Sequence, residues 1–198
     1  RYNPKLGSLA SGLETIASGE GSHAEGTYAT NTDNNTNTIY YNTVASGEGS
    51  HAEGIGTTAS GIGSHAEGQN TYARGCYSHA EGYYTYADGE YSHTEGYGTT
   101  ASSSYAHAEG YETKVSLYGH SEGNATTAYG IASHAEGENT YASGDNSHTE
   151  GYSTIASNHA SHAGGKYNAA MITGGSYSNT TGTAFVIGNG TSESARSN

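Results

Sequence analysis

The sequence predicts an all-β fold, a parallel β-roll solenoid whose coils are fourteen residues long. Three observations carry the prediction. Histidine recurs every fourteen residues at His51, His65, His79, His93 and His107. Small residues alternate with variable ones at period two, as in Thr57-Thr58-Ala59-Ser60-Gly61 and Ser64-His65-Ala66-Glu67-Gly68, the pattern of strands with one buried face. Glycine closes both halves of the unit, where the backbone turns or approaches a neighbour closely. A helix would scatter these sets around its circumference and would be weakened by a glycine every few residues.

Residues 1–13 read as an N-terminal capping half-repeat, because Ser8-Leu9-Ala10-Ser11-Gly12 aligns with the second half of the unit and places Leu9 where histidine stands elsewhere. A terminal repeat has no neighbour on one side, which suits a degenerate copy. Residues 14–165 form the predicted repeat domain. Its register histidines are His23, His51, His65, His79, His93, His107, His120, His134, His148 and His162. The spacing is 28 after His23, 13 between His107 and His120, and fourteen elsewhere. The doubled interval falls on the Asn/Thr-rich stretch 30–38, taken as an insertion in place of a missing unit. Fourteen extended residues cover about 46 Å, enough for two five-residue strands and two tight corners, with coils stacking at about 4.8 Å. Thr and Ala of the first half, and Ser and Ala of the second, point inward; His and Glu share the opposite face. Residues 166–198 change character. Met171, Ile172, Phe185, Val186 and Ile187 supply most of the apolar side chains there, which predicts a C-terminal β cap and trimerisation segment.

Composition limits the core. The chain of 198 residues has 31 Gly, no Trp, one Phe and one Met, and 19 of its hydrophobic residues are Tyr. An interior of Ala, Ser, Thr and Gly buries little apolar surface, at about 25 cal/mol per Å², so a partner surface is expected and a homotrimer is the expected assembly. Low hydrophobicity and a net charge of -13 would suit disorder, but a disordered linker has no reason to keep a strict period. With six Lys+Arg in an acidic chain, nucleic acid is not an expected partner. Membrane insertion is not expected either, since no apolar run approaches spanning length. Cys76 is the single cysteine, which leaves no intrachain disulfide. The chain starts at Arg1 without a signal peptide, as a processed or excised piece would.

Two sets of side chains invite a functional reading. The first is a ladder of His51, His65, His79, His93 and His107 with Glu53, Glu67, Glu81, Glu95 and Glu109. Its bland reading is structural, with imidazoles bonded to carboxylates or carbonyls within the roll or across a trimer interface. Metal binding is an alternative, but it needs three or four converging ligands and a ladder presents them in line, so no metal or other cofactor is assigned. A pH response is the third reading. The second set is the tyrosines. Tyr77, Tyr91 and Tyr105 precede successive histidines by two residues, and Tyr83, Tyr97 and Tyr111 follow successive closing glycines. They read either as stacking that stiffens a thin roll or as receptor-binding aromatics for a glycan or protein. No catalytic residue is expected. Identical glutamates repeated along a stack provide neither the cleft nor the asymmetric pair that glycoside hydrolysis uses, and the Ser-His adjacency belongs to the repeat.

The pattern Ala-x-Gly-x-x-Ser-x-Ala-x-Gly over residues 8–165 resembles the left-handed parallel β-roll of YadA-like heads in trimeric adhesins. Its Ser-His-Ala-Glu-Gly form is similar to repeats in phage tail fibres and appendages. Thr183-Ala184-Phe185-Val186-Ile187-Gly188-Asn189-Gly190-Thr191 and Ser194-Ala195-Arg196-Ser197-Asn198 resemble the segment leading into a self-cleaving C-terminal chaperone of such fibres. The resemblance implies a homotrimeric fibre, matured by cleavage near Asn198. It implies a non-enzymatic structural and adhesive role in host attachment, located in a virion tail fibre or at the cell surface. A bacterial trimeric surface adhesin or extracellular filament is the alternative, and a polysaccharide depolymerase the less favoured one.

Overall fold

The computed structural model describes residues 6–32, 38–169 and 184–198. Among these the chain is a parallel β-solenoid without helices. It divides into two compact units, residues 1–104 and 105–198.

In the first unit each coil contributes one strand to each of two parallel sheets. One sheet holds the long strands Leu9–Gly12, His23–Thr27, His51–Ile55, His65–Gln69, His79–Tyr83 and His93–Tyr97. The other holds Ile16–Ala17, Val44–Ala45, Thr58–Ala59, Tyr72–Ala73, Tyr86–Ala87 and Thr100–Ala101. Register is like on like: His79 lies opposite His65, Ala80 opposite Ala66 and Glu81 opposite Glu67. Leu9 pairs with His23, so the leading half-repeat is the first rung of the long-strand sheet.

The first-half strand is shorter than the five residues expected, only two per coil. The hydrogen bonds explain it. Ser60 N–H and Gly61 N–H both donate to the Ala73 carbonyl, at 2.9 and 3.4 Å, which bends the chain out of the ladder. Ser64 then ties the corner by donating from both its N–H (3.2 Å) and its hydroxyl (2.8 Å) to the Gly61 carbonyl. The doubled histidine interval holds no coil. His23–Thr27 pairs directly with His51–Ile55, and Ile16–Ala17 with Val44–Ala45. The extra residues instead supply an antiparallel pair, Ala29–Thr32 with Thr38–Tyr41; residues 33–37 lie outside the described part.

The second unit repeats the plan, with His107–Tyr111, His120–Asn124, His134–Glu138, His148–Thr149, His162–Lys166 and Phe185–Asn189 in the long-strand sheet. The thirteen-residue coil keeps His107 opposite His120. Its deletion falls in the corner: Gly119 stands where serine precedes most of the other register histidines, and a Cβ there would crowd the Ser133 carbonyl at 3.0 Å and Val115 at 3.1 Å. The short-strand sheet ends on Asn168. This fully buried amide accepts from Ile155 N–H (2.8 Å) and donates to its carbonyl (3.0 Å), standing in for the strand that would follow. Phe185–Asn189 pairs in parallel with His162–Lys166, placing Phe185 in the histidine position, Val186 in the alanine position and Ile187 in the glutamate position. Met171 and Ile172, assigned from sequence to the same segment, lie outside the described residues.

The interior is as thin as the sequence predicts. Ala52, Ala59, Ala66, Ala73 and Ala80 are fully buried, and apart from Asn168 the largest fully buried side chains are threonines. Methyl groups supply its apolar contacts, and the ladders pair the main-chain polar groups between them.

Candidate functional site

One face of the long-strand sheet carries the His/Glu ladder. Alternation along Ser-His-Ala-Glu sends serine and alanine inward and leaves histidine and glutamate half-exposed. In the first unit His23, His51, His65, His79 and His93 stack face to face, with centroids 4.8–5.0 Å apart and planes within 4°. In the second unit His107, His120, His134 and His148 stack at 4.7–4.8 Å, and His162 turns its ring by 66° against His148.

The glutamates lie beside the imidazoles but beyond good hydrogen-bond range. His51 Nε2 is 3.8 Å from Glu53, His79 Nε2 is 3.5 Å from Glu67 of the preceding coil, and His107 Nε2 is 3.6 Å from Glu109. Glu81 and Glu95 continue the carboxylate row, and with Glu25, Glu53, Glu67 and the intervening glycines they line an open groove of about 880 Å³. Burial, and then the neighbouring imidazoles His79 and His51, hold His65 below the usual histidine range against the opposing pull of Glu67 and Glu53. Burial and neighbouring imidazoles act the same way on His120 and His148. Among the carboxylates, burial and a hydrogen bond with Glu122 push Glu136 up.

The tyrosines form separate rows. Tyr77 and Tyr91 stack at 5.3 Å, both at least half exposed. Tyr83 and Tyr97 stack at 5.3 Å, while Tyr83 also meets Tyr84 edge-on at 4.5 Å. In the second unit Tyr105 stacks with Tyr118 at 5.6 Å, and Tyr111 is exposed. Tyr77, Tyr91, Tyr105 and Tyr118 all have φ between 54° and 59°, a left-handed conformation that costs a non-glycine residue free energy. Equivalent corners of earlier coils use Gly49 and Gly63.

Sequence reasoning missed one cluster. The Arg74 guanidinium lies over Tyr72 (4.6 Å) and Tyr86 (5.5 Å) and pairs with Asp88 at 2.9 Å. The signal was available: Tyr72-Ala73-Arg74 and Tyr86-Ala87-Asp88 are fourteen residues apart, so parallel register sets arginine beside aspartate.

A family model described as the YadA head domain repeat matches residues 10–30, 52–71 and 135–157. The coils in those spans are similar to YadA head repeats. No curated protein matches the chain. In this chain the inward Ser and Ala keep the stack thin, and the outward positions carry His and Glu.

Proposed function

We propose that the chain is a segment of a homotrimeric adhesive fibre, a phage tail fibre or appendage that contacts the host cell surface. The outward register of the long-strand sheet carries the reading. Leu9 occupies the histidine position at the start of the first unit, and it is exposed. Phe185 and Ile187 occupy the histidine and glutamate positions at the end of the second, exposed by 61% and 63%. Apolar side chains aligned with half-exposed imidazoles suit a face covered by further copies of the chain. The exposed tyrosine rows then remain for a surface glycan or protein. The role is non-enzymatic. A bacterial surface adhesin is the second reading, supported by the YadA head match itself.

Binding to host cell-wall fractions tests the adhesive part. The wild-type chain is expected to bind, and Tyr77→Ala with Tyr91→Ala to bind at least tenfold more weakly. Full retention by the double variant would remove the tyrosines from the reading. Release of new reducing ends from the wall polysaccharide would favour a depolymerase instead.

A further inference from the structure

The ladder does more than set donors in line. In the first unit, parallel register closes it into three overlapping trios: Glu25, His51 and Glu53; Glu53, His65 and Glu67; Glu67, His79 and Glu81. In each trio one donor atom per residue lies within 4.8 Å of the other two. Each trio therefore joins one imidazole to carboxylates from two successive coils.

Three observations distinguish this from ordinary surface charge. The Nε2 atoms of His51, His65 and His79 are shielded from solvent and have no hydrogen-bond partner, although an exposed ring could turn to find water. The Nε2-to-carboxylate separations of 3.5 and 3.8 Å exceed the roughly 2.7–2.9 Å of a charge-assisted hydrogen bond. Metal–ligand bonds of about 2.0–2.2 Å place two donors on one tetrahedral ion about 3.4 Å apart, which the His51–Glu53 and His79–Glu67 pairs approach, while the remaining donor atoms of the trios lie within 4.8 Å and must draw in on binding. Finally, the carboxylate row lacks compensation. Arg74 is the single Lys or Arg of residues 6–104, and it is engaged with Asp88 on the short-strand side of the coil.

We propose that these trios bind a divalent transition cation, with zinc the representative ion, through one imidazole nitrogen and one carboxylate oxygen from each of two successive coils. Mixed nitrogen and oxygen donors favour zinc-like ions over calcium or magnesium, which take all-oxygen sets. Three protein ligands leave a position for water. Glu53 and Glu67 are each shared by two trios, so the first and third fill together while the second competes with both. The run holds one to two ions per chain, clipping adjacent coils together. The proposal is independent of the adhesive reading, because the trios lie within a single chain.

The test is isothermal titration of the full chain, stripped with a chelator, with zinc at pH 7.5, alongside thermal melting with and without zinc. Wild type is expected to bind zinc at least tenfold more tightly than calcium and to melt higher with it. Glu53→Gln with Glu67→Gln keeps side-chain shape, disrupts all three trios, and is expected to bind one to two fewer zinc ions per chain. Glu48→Gln with Glu90→Gln, at corner positions outside the trios, is expected to retain wild-type stoichiometry. Equal affinity for zinc and calcium, equal loss in both double variants, or undiminished uptake by Glu53→Gln with Glu67→Gln would overturn the proposal.

Discussion

Threonine occupies the same buried place in coil after coil, yet its hydroxyl is not used uniformly. Thr43 Oγ1 donates to the Thr27 carbonyl at 2.7 Å and accepts from Gly56 N–H at 3.2 Å, tying down the coil beside the insertion. Thr85 Oγ1 is buried without a hydrogen-bond partner. Replacing a bonded buried hydroxyl costs about 1–3 kcal/mol, whereas replacing an unbonded one by a methyl of the same shape is neutral or better. Thr43→Val is therefore expected to lower the melting temperature and Thr85→Val to leave it unchanged or raise it. Glycine divides in a similar way. Gly68 has φ of +106°, and a Cβ there would collide with the Gly82 carbonyl of the next coil. Gly49 has φ of +62° with open space around it. Gly68→Ala is expected to cost more than about 2 kcal/mol, and Gly49→Asn under about 1 kcal/mol, both read by urea unfolding. The close approach at Gly68 was legible from its recurrence. The left-handed tyrosines were not, because tyrosine has no local preference for that conformation and the stacked coil imposes it.

Each strand acquires its partners from the coil before and the coil after, which is why a fourteen-residue period sufficed to pair His79 with His65. The period could not give strand length. The Ala73 carbonyl accepts two N–H groups and ends the short strand early, and that bifurcation depends on corner geometry rather than residue type. Nor could spacing alone distinguish a missing coil from an inserted pair of strands at residues 29–41, since both lengthen the interval by the same amount. Stacking also has an electrostatic consequence. His120 faces His107 and His134 along its row, with Glu122 beside it, and His148 faces His134 and His162, with Glu150 beside it. Burial and like-charged neighbours depress both histidines, so the unfolded chain takes up protons more readily than the folded one. Their stability contribution is full above the unfolded value of about 6.5 and is lost as pH falls through the lower folded values. The melting temperature is expected to be flat from pH 8 to 7 and to decline below about pH 6.5. A rise in that lower interval would mean that the carboxylates govern the titration.

At the scale of the whole molecule, the thin interior and the outward face make one argument. A core of alanine methyls and threonines offers little apolar burial per coil, while Leu9, Phe185 and Ile187 remain exposed in the outward register. The thinness was readable from composition. That Phe185 and Ile187 align with histidine and glutamate was not, because residues 166–184 break the period and only pairing with His162–Lys166 restores it. The account predicts that burying this face among three chains supplies what each coil lacks. Sedimentation equilibrium of the full chain at micromolar concentration tests this most directly. A mass three times the 20.3 kDa of one chain is the predicted result. A stable monomer that retains its β-sheet circular dichroism and a cooperative melt would contradict it.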